Sequence, residues 1–282
     1  MTSRRLRAER RFRLLTLAAV SLSVTLVAVL LGGIVLRGLG GLDLAFLGGT
    51  DSVDAARAGI WGATKGSLLT IGITMALALP FGVAVALYLE EFATRNRWTN
   101  MLELLIANLA AVPSIIFGLL GLALFLGVLD LPRSAPLIAG LTLALMTMPV
   151  IVIAARGAIR AVPSAVREAA QGLGASPVQV TFHHVLPLAL PGILTGALLG
   201  AARALGETAP LLLIGMNAFI AAAPAGPTAP ATVLPVQIFL WSGEVGRGFA
   251  ERTAAAALVL LVVLLAMNAT AVWLRDRLER RR

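Results

Sequence analysis

VPSAVREAAQGLGASPVQVTFHHVLPLALP, running from Val162 to Pro191, lies between two long apolar segments, and its punctuation predicts two short helices. Pro163 and Ser164 suit a helix start, with Ser164 as N-cap, and Gly172 or Gly174 suits its end. Ser176 is placed to cap a second helix whose first position is Pro177, where a missing N–H costs nothing. Val166, Ala169, Ala170 and Leu173 recur at i, i+3, i+4 and i+7 and share one small apolar face, while Arg167, Glu168 and Gln171 point elsewhere. Val178, Phe182 and Val185 repeat the pattern on the second helix. Such a pair suits a loop lying on a membrane surface or a handle gripped by another protein.

The segments on either side decide for a membrane. The chain has 282 residues, 59% hydrophobic and only 13% charged, against about 25% charged in a soluble domain. Its mean hydropathy is +0.92. Apolar stretches of about 20 residues, enough to cross the hydrocarbon core, recur along it. Six spans are predicted, at 14–36, 66–89, 105–128, 136–155, 190–217 and 253–274. The first has a basic start, yet its apolar run exceeds the 7–15 residues of a signal-peptide core and no small-residue cleavage site follows at once, so it reads as a retained span. There is no cysteine, which excludes disulfides and thiolate metal sites.

Basic residues set the expected topology. With both termini inside, segments 1–13, 90–104, 156–189 and 275–282 carry 16 Lys and Arg, and the external segments 37–65, 129–135 and 218–252 carry 6. Cytoplasmic excess of Lys and Arg is the usual sign of orientation. The expected organisation is a basic cytoplasmic tail at 1–13, one transmembrane domain at 14–275 and a second basic tail at 276–282. The net charge of +9 therefore points to the bilayer, not to nucleic acid. No connection is long enough for a soluble domain. Lys65 follows Thr64 rather than glycine, so no phosphate-cradling G-x-x-x-x-G-K-[ST] loop is present.

One oily segment breaks the pattern. From Leu188 to Ala223 the only charges are Arg203 and Glu207, inside ARALGETAPLLLIG (Ala202–Gly215). Four residues apart on a helix, they share a face and can meet. A single charged residue at mid-bilayer costs about 2.5–3.5 kcal/mol on insertion scales. Pairing removes much of that and turns both groups toward protein or water. Gly206 has no side chain, and Pro210 cannot donate to the Gly206 carbonyl, so the helix is expected to loosen beside the pair. Broken backbone at membrane depth is tolerated where it faces protein or a cavity. A structural ion pair between helices is the alternative. A guanidinium matches a tetrahedral oxyanion, and a carboxylate can accept from a P–OH group. Phosphate keeps a proton at neutral pH and sulfate does not, so the pair permits phosphate without establishing it.

Elsewhere Asn108, Pro113 and Ser114 interrupt the third span and Pro149 the fourth, Pro113 as a kink or path-lining break. Gly118, Gly121, Gly196 and Gly200 are expected to let helices pack closely. The 218–252 loop is stiffened by Pro224, Pro227, Pro230 and Pro235, and Trp241 suits the membrane interface. Its role, binding-protein contact or bilayer contact, stays open. His183 and His184 are adjacent, point about 100° apart on a helix and have no nearby Cys, Asp or Glu, which excludes a metal shell.

Glu168-Ala169-Ala170, three residues, Gly174, and then Leu186-Pro187 resemble the EAA loop of bacterial ABC importer permeases. His184 departs from the apolar residue expected there. The resemblance implies an all-α, MetI-like type I permease fold in which the loop supplies a coupling helix to a nucleotide-binding subunit. Within these permeases, ARALGETAPLL, NLAAVPSIIFGLLGLALF (Asn108–Phe125), GSLLTIGITMALALPFGVAVALYLEEF (Gly66–Phe92) and LPVQIFLW (Leu234–Trp241) resemble the PstA family of phosphate-specific importers. The PstC family shares an Arg…Gly-Glu-Thr segment, whereas Ala209-Pro210 and LPVQI favour PstA. The resemblance implies Arg203, Glu207 and Thr208 as substrate-pathway residues, and Glu168, Ala169, Ala170 and Gly174 as the ATPase-coupling set. It implies a PstC-like permease partner, two PstB-like ATPases that bind ATP and Mg in place of this chain, and a PstS-like phosphate-binding protein. A permease for sulfate or molybdate is the closest alternative. An intramembrane protease would need a buried catalytic set, and the spans hold no Asp, no His and no G-x-S-x-G. A self-sufficient channel or secondary transporter would leave the EAA loop unexplained.

Overall fold

The computed structural model describes residues 3–244 and 246–279, and all regular structure among them is helical. In chain order the helices are α1 (Ser3–Gly38), α2 (Leu44–Gly48), α3 (Trp61–Leu87), α4 (Arg97–Ala110), α5 (Ser114–Gly121), α6 (Pro136–Arg160), α7 (Ser164–Gly172), α8 (Pro177–Gln179), α9 (Leu186–Leu205), α10 (Ala209–Leu213), α11 (Leu234–Ser242) and α12 (Arg247–Glu279). Short π-helical segments, Tyr88–Phe92, Leu122–Val128 and Val180–Val185, continue α3 and α5 and join α8 to α9.

Five helical runs are long and apolar enough to cross a membrane: Arg11–Gly41, Trp61–Phe92, Pro136–Arg160, Pro177–Leu205 and Gly248–Arg277. A sixth is the pair Arg97–Ala110 and Ser114–Val128, bent by 99°. The expected third span at 105–128 is therefore two helices, not one. Pro113 sits at the corner with ψ 135°, and with no N–H of its own it cannot continue α4. The basic segment 1–13 is helical from Ser3 onward and continuous with the first span. The end of the 276–282 tail lies outside the described residues.

The expected fifth span at 190–217 is also corrected. The helical run begins at Pro177 and ends at Leu205. Its start is the capping box at Ser176, whose Oγ accepts from Gln179 N at 3.3 Å while Gln179 Oε1 accepts from Ser176 N at 2.8 Å. Rather than forming a separate short helix, α8 runs on through the π-helical turn into α9. Proline at 187 removes one N–H just beyond that turn, where wider i→i−5 bonding takes over: Leu186 N donates to Thr181 O.

α6 is the central post, with Ile138, Leu143, Ile151 and Ile159 fully buried. It packs on α3, where a Cβ on Gly82 would lie 2.8 Å from Ile151, and on α9, whose Gly192 and Gly196 lie over Ala158 and Ala154. Gly200 follows one turn later against Thr147, so the expected packing of small residues extends to a stripe at i, i+4, i+8. α1 stands at the periphery with most of its apolar side chains exposed, and it touches the bundle through Gly38 and Gly41 against α12.

At one end of the bundle the 37–65 segment is pinned down. Asp43 caps α2 by accepting from Phe46 N at 2.6 Å, and that backbone bond holds its carboxyl below the usual carboxylate range. Arg252 donates to Gly41 O, Ala55 O and Ala56 O and lies 5.1 Å from the Phe46 ring. Trp241 is buried between Phe46 and Phe249. Likewise LPVQI is helix α11 packed into the core, not a lipid-facing loop: Leu234 N donates to Ser67 Oγ and Ala231 N to Ser134 O.

Candidate functional site: a broken helix and its coupling end

α9 ends where the sequence places its charges. Gly206 is the C-cap with φ −86°, an ordinary right-handed value, so glycine is not required here for backbone freedom. The chain turns through Glu207 and restarts at Thr208, whose carbonyl accepts from Leu211 N and Leu212 N at 3.1 Å each. Pro210 occupies a first-turn position of α10, where its missing N–H costs nothing. Thus Gly206 and Pro210 mark a complete break and not a loosened turn. Pro210 is buried against α5: a Cβ on Gly118 would lie 2.6 Å from Pro210 Cα. The two broken spans therefore meet, one proline at the corner of each.

Arg203 sits on the last turn of α9, and Glu207 just beyond it. The pair is 3.8 Å apart (Nε to Oε1), an ion-pair distance but longer than a hydrogen bond. The Arg203 side chain is 56% exposed and that of Glu207 18% exposed. The Arg203 guanidinium makes no hydrogen bond among the described residues, and more than half of the side chain is open to solvent. Thr208 is half-buried beside them. Behind the break lies a small cavity of about 10 Å³ lined by Ser67, Thr70, Ala204, Leu205 and Leu211, room for about one water. The Thr70 hydroxyl in its wall is buried without a partner.

The expected coupling end comprises α7 and its neighbours. Pro163, and not Ser164, precedes the first helical residue, and its side chain cannot cap. Gly174 has φ +84° and closes the C-terminus: its N–H donates to Gln171 O at 2.9 Å and Ala175 N donates to Ala170 O at 3.1 Å. This double bond is a Schellman closure, and a left-handed residue there favours glycine. Ala170 is buried among Ile159, Val162, Val180 and Val185. Glu168 and Ala169 are exposed. The expected apolar face is split, however. Val166 and Ala170 turn inward, whereas Leu173 is 91% exposed and Val178 and Phe182 also face out. An apolar ridge from Leu173 to Phe182 is thus left uncovered by this chain.

Sequence reading missed what holds α7 in place. Arg167 donates to both Glu91 oxygens, the shortest contact being Nη2 to Oε1 at 2.7 Å. The same guanidinium donates to Val162 O at 2.8 Å and Ile159 O at 3.1 Å. One side chain therefore ties α7 to the end of α6 and to the π-helical end of α3. Next to it, Glu90 accepts from Arg156 at 2.5 Å and from Arg160 at 2.8 Å, and Arg156 reaches Glu103 on α4 at 2.6 Å. The visible signal was Glu90-Glu91 at one span end and Arg156 and Arg160 one turn apart at another. No group of three or more His, Cys, Asp or Glu suited to a metal ion occurs among the described residues, and His183 and His184 are exposed.

Comparison with known proteins supplies the frame for these parts. The pattern described as "binding-protein-dependent transport system inner membrane component" matches residues 78–282, and one for a domain of unknown function matches residues 1–47. The phosphate transport system permease protein PstA 1 of Mycobacterium tuberculosis is 35% identical over 225 residues, covering 79% of this chain and 73% of that protein. A probable ABC transporter permease protein, YqgI, of Bacillus subtilis is 30% identical over 272 residues, covering 90% and 91%. Among solved structures, a chain of a bacterial alginate ABC transporter, in complex with a pentasaccharide-bound periplasmic protein, superposes with a TM-score of 0.65 over 95% of this chain at 17% identity, which speaks for the fold. A multi-pass bundle with an EAA-type loop, similar in sequence to PstA permeases over most of its length, belongs to the inner-membrane permease subunits of binding-protein-dependent ABC importers.

Proposed function

We propose that this chain is the PstA-type subunit that passes inorganic phosphate into the cell. The observation that carries the reading is the Arg203–Glu207 pair, with an arginine more than half exposed at the break of a helix otherwise free of charge. Sequence similarity to PstA 1 supports the same substrate. Arg203 offers its donors to phosphate oxygens, and Glu207 accepts from the proton that phosphate retains. The contacts are few and Arg203 is exposed, which suits passage over retention. The exposed side of Arg203 faces a PstC-like partner permease, so that the path runs between two chains.

ATP and Mg are bound by two PstB-like subunits. The uncovered ridge of Leu173, Val178 and Phe182, with Glu168 and Ala169 beside it, is the surface each EAA loop offers to an ATPase groove. A PstS-like protein delivers phosphate at the opposite face. Both termini lie in the cytoplasm, in keeping with the excess of basic residues on that side.

Initial uptake of labelled phosphate and, separately, labelled sulfate tests the substrate. The host lacks its own copy of the gene and receives this chain with its cognate subunits. Phosphate uptake restored with sulfate unchanged is the expected result. Sulfate or molybdate restored instead retains the ABC permease and overturns phosphate.

A further inference from the structure

A second built pocket lies at the end of the bundle opposite the EAA loop. It encloses about 210 Å³ between α11, the start of α12 and the 50s segment, and its lining includes Asp51, Asn217, Phe219, Gln237, Trp241 and Glu244. That is room for several waters or the end of a long side chain. Two features show that it is more than a gap between loops. Asp51 is held in place, accepting at Oδ1 from Trp241 Nε1 at 3.0 Å and from Ser52 N at 2.9 Å. Gln237 is 1% exposed, and its amide makes no hydrogen bond of good geometry, standing only near the Asp51 carboxyl.

The described lining of the pocket is acidic. No basic side chain is among its lining residues. Burial, with a smaller contribution from Glu244, pushes the Asp51 carboxyl up, whereas the nearby Gln237 amide, Trp241 and Ser52 favour the carboxylate. Arg252, on the first turns of α12, is committed to Gly41, Ala55, Ala56 and Asp43. Two carboxylates, a buried amide and the aromatic side chains of Phe219 and Phe249 in the lining form a site for an organic cation. Aromatic faces attract a weakly hydrated guanidinium or ammonium on an alkyl stem, whereas a small metal ion needs a denser oxygen shell.

We propose that this pocket receives an arginine or lysine side chain of the extracytoplasmic binding protein, held between Asp51, Glu244 and the Gln237 amide. The identity of that partner rests on the reading given under Proposed function; the chemistry of the pocket does not. Such an anchor on the outer face would seat the binding protein over the end of α11, whose other end packs beside the cavity behind the Arg203 break through Pro235.

The test uses the full chain in detergent with n-butylguanidinium as probe and the neutral isostere n-butylurea as control, read by tryptophan fluorescence. Saturable binding of the cation, at least tenfold tighter than the urea, is expected. Glu244→Gln and Gln237→Leu should each weaken it about tenfold, and Glu244 is exposed enough for its variant to fold. Equal response to both probes, or wild-type affinity in both variants, overturns the site. Displacement of the probe by millimolar Mg or Ca would make it a metal site instead. In the assembled importer, n-butylguanidinium should then compete with the loaded binding protein; binding unaffected by saturating probe overturns the partner assignment. Loss of phosphate uptake with intact probe binding would sink the transport reading and leave the pocket standing.

Discussion

Arg203 illustrates how one side chain can be legible in part. Its four-residue spacing from Glu207 and its apolar surroundings were plain in the sequence, and the two groups do meet at 3.8 Å. That Arg203 would be more than half exposed while Glu207 is mostly covered was not legible, because the split depends on where α9 stops and how α10 packs on α5. Removing the charge in Arg203→Gln should lower phosphate uptake at least tenfold, about 1.4 kcal/mol of lost stabilisation, while the complex still assembles. Wild-type uptake in that variant would remove Arg203 from the path. Buried Gln237 shows the opposite case: it reads as one polar residue in LPVQIFLW, and only the fold reveals that its amide is buried beside the Asp51 carboxyl.

Among the elements, α7 was foreseen and its fastening was not. Glycine at 174, Ser176 and Pro177 mark the turns through local backbone chemistry, which a sequence displays directly. The Arg167–Glu91 contact joins residues 76 positions apart, and nothing local selects Glu91 over its neighbour Glu90. Breaking a fully buried ion pair costs about 3–5 kcal/mol; here the cost is smaller, since Arg167 keeps 24% of its side-chain surface. Because Arg167 links α7 to α3 and α6, Arg167→Leu should leave ATP hydrolysis by the assembled complex near its wild-type rate and reduce uptake about tenfold. The exchange Glu91→Arg with Arg167→Glu should recover part of that uptake. Hydrolysis and uptake falling together would mean that the contact serves stability alone. Both broken spans show the same limit. Pro113 and Pro210 announced interruptions, but a 99° corner and a complete break need the partner helix against which each is packed.

For the whole molecule, length and hydropathy carried the fold: six expected spans correspond to five continuous helical runs, one of which stops at the Gly206 break, and one bent pair. What failed was the ends of spans, where a capping box or a proline outweighs hydropathy. Orientation can be checked without background, since the chain has no cysteine. Single cysteines at Ser3 and Gly226 should differ in intact cells, the first protected from a membrane-impermeant maleimide and the second labelled. The reverse pattern would invert the topology and place the Asp51 pocket inside. The peripheral seat of α1 has a further consequence for biogenesis. Its close contacts are with α12, where a Cβ on Gly38 would lie 2.7 Å from Ala254 O. As the ribosome delivers the chain, α1 is released well before α12, so it must wait in lipid without this partner until α12 has been synthesised. Contacts this distant in sequence close slowly, and a nascent chain stalled before residue 250 should leave α1 open to cross-linking by lipid or by the insertion machinery.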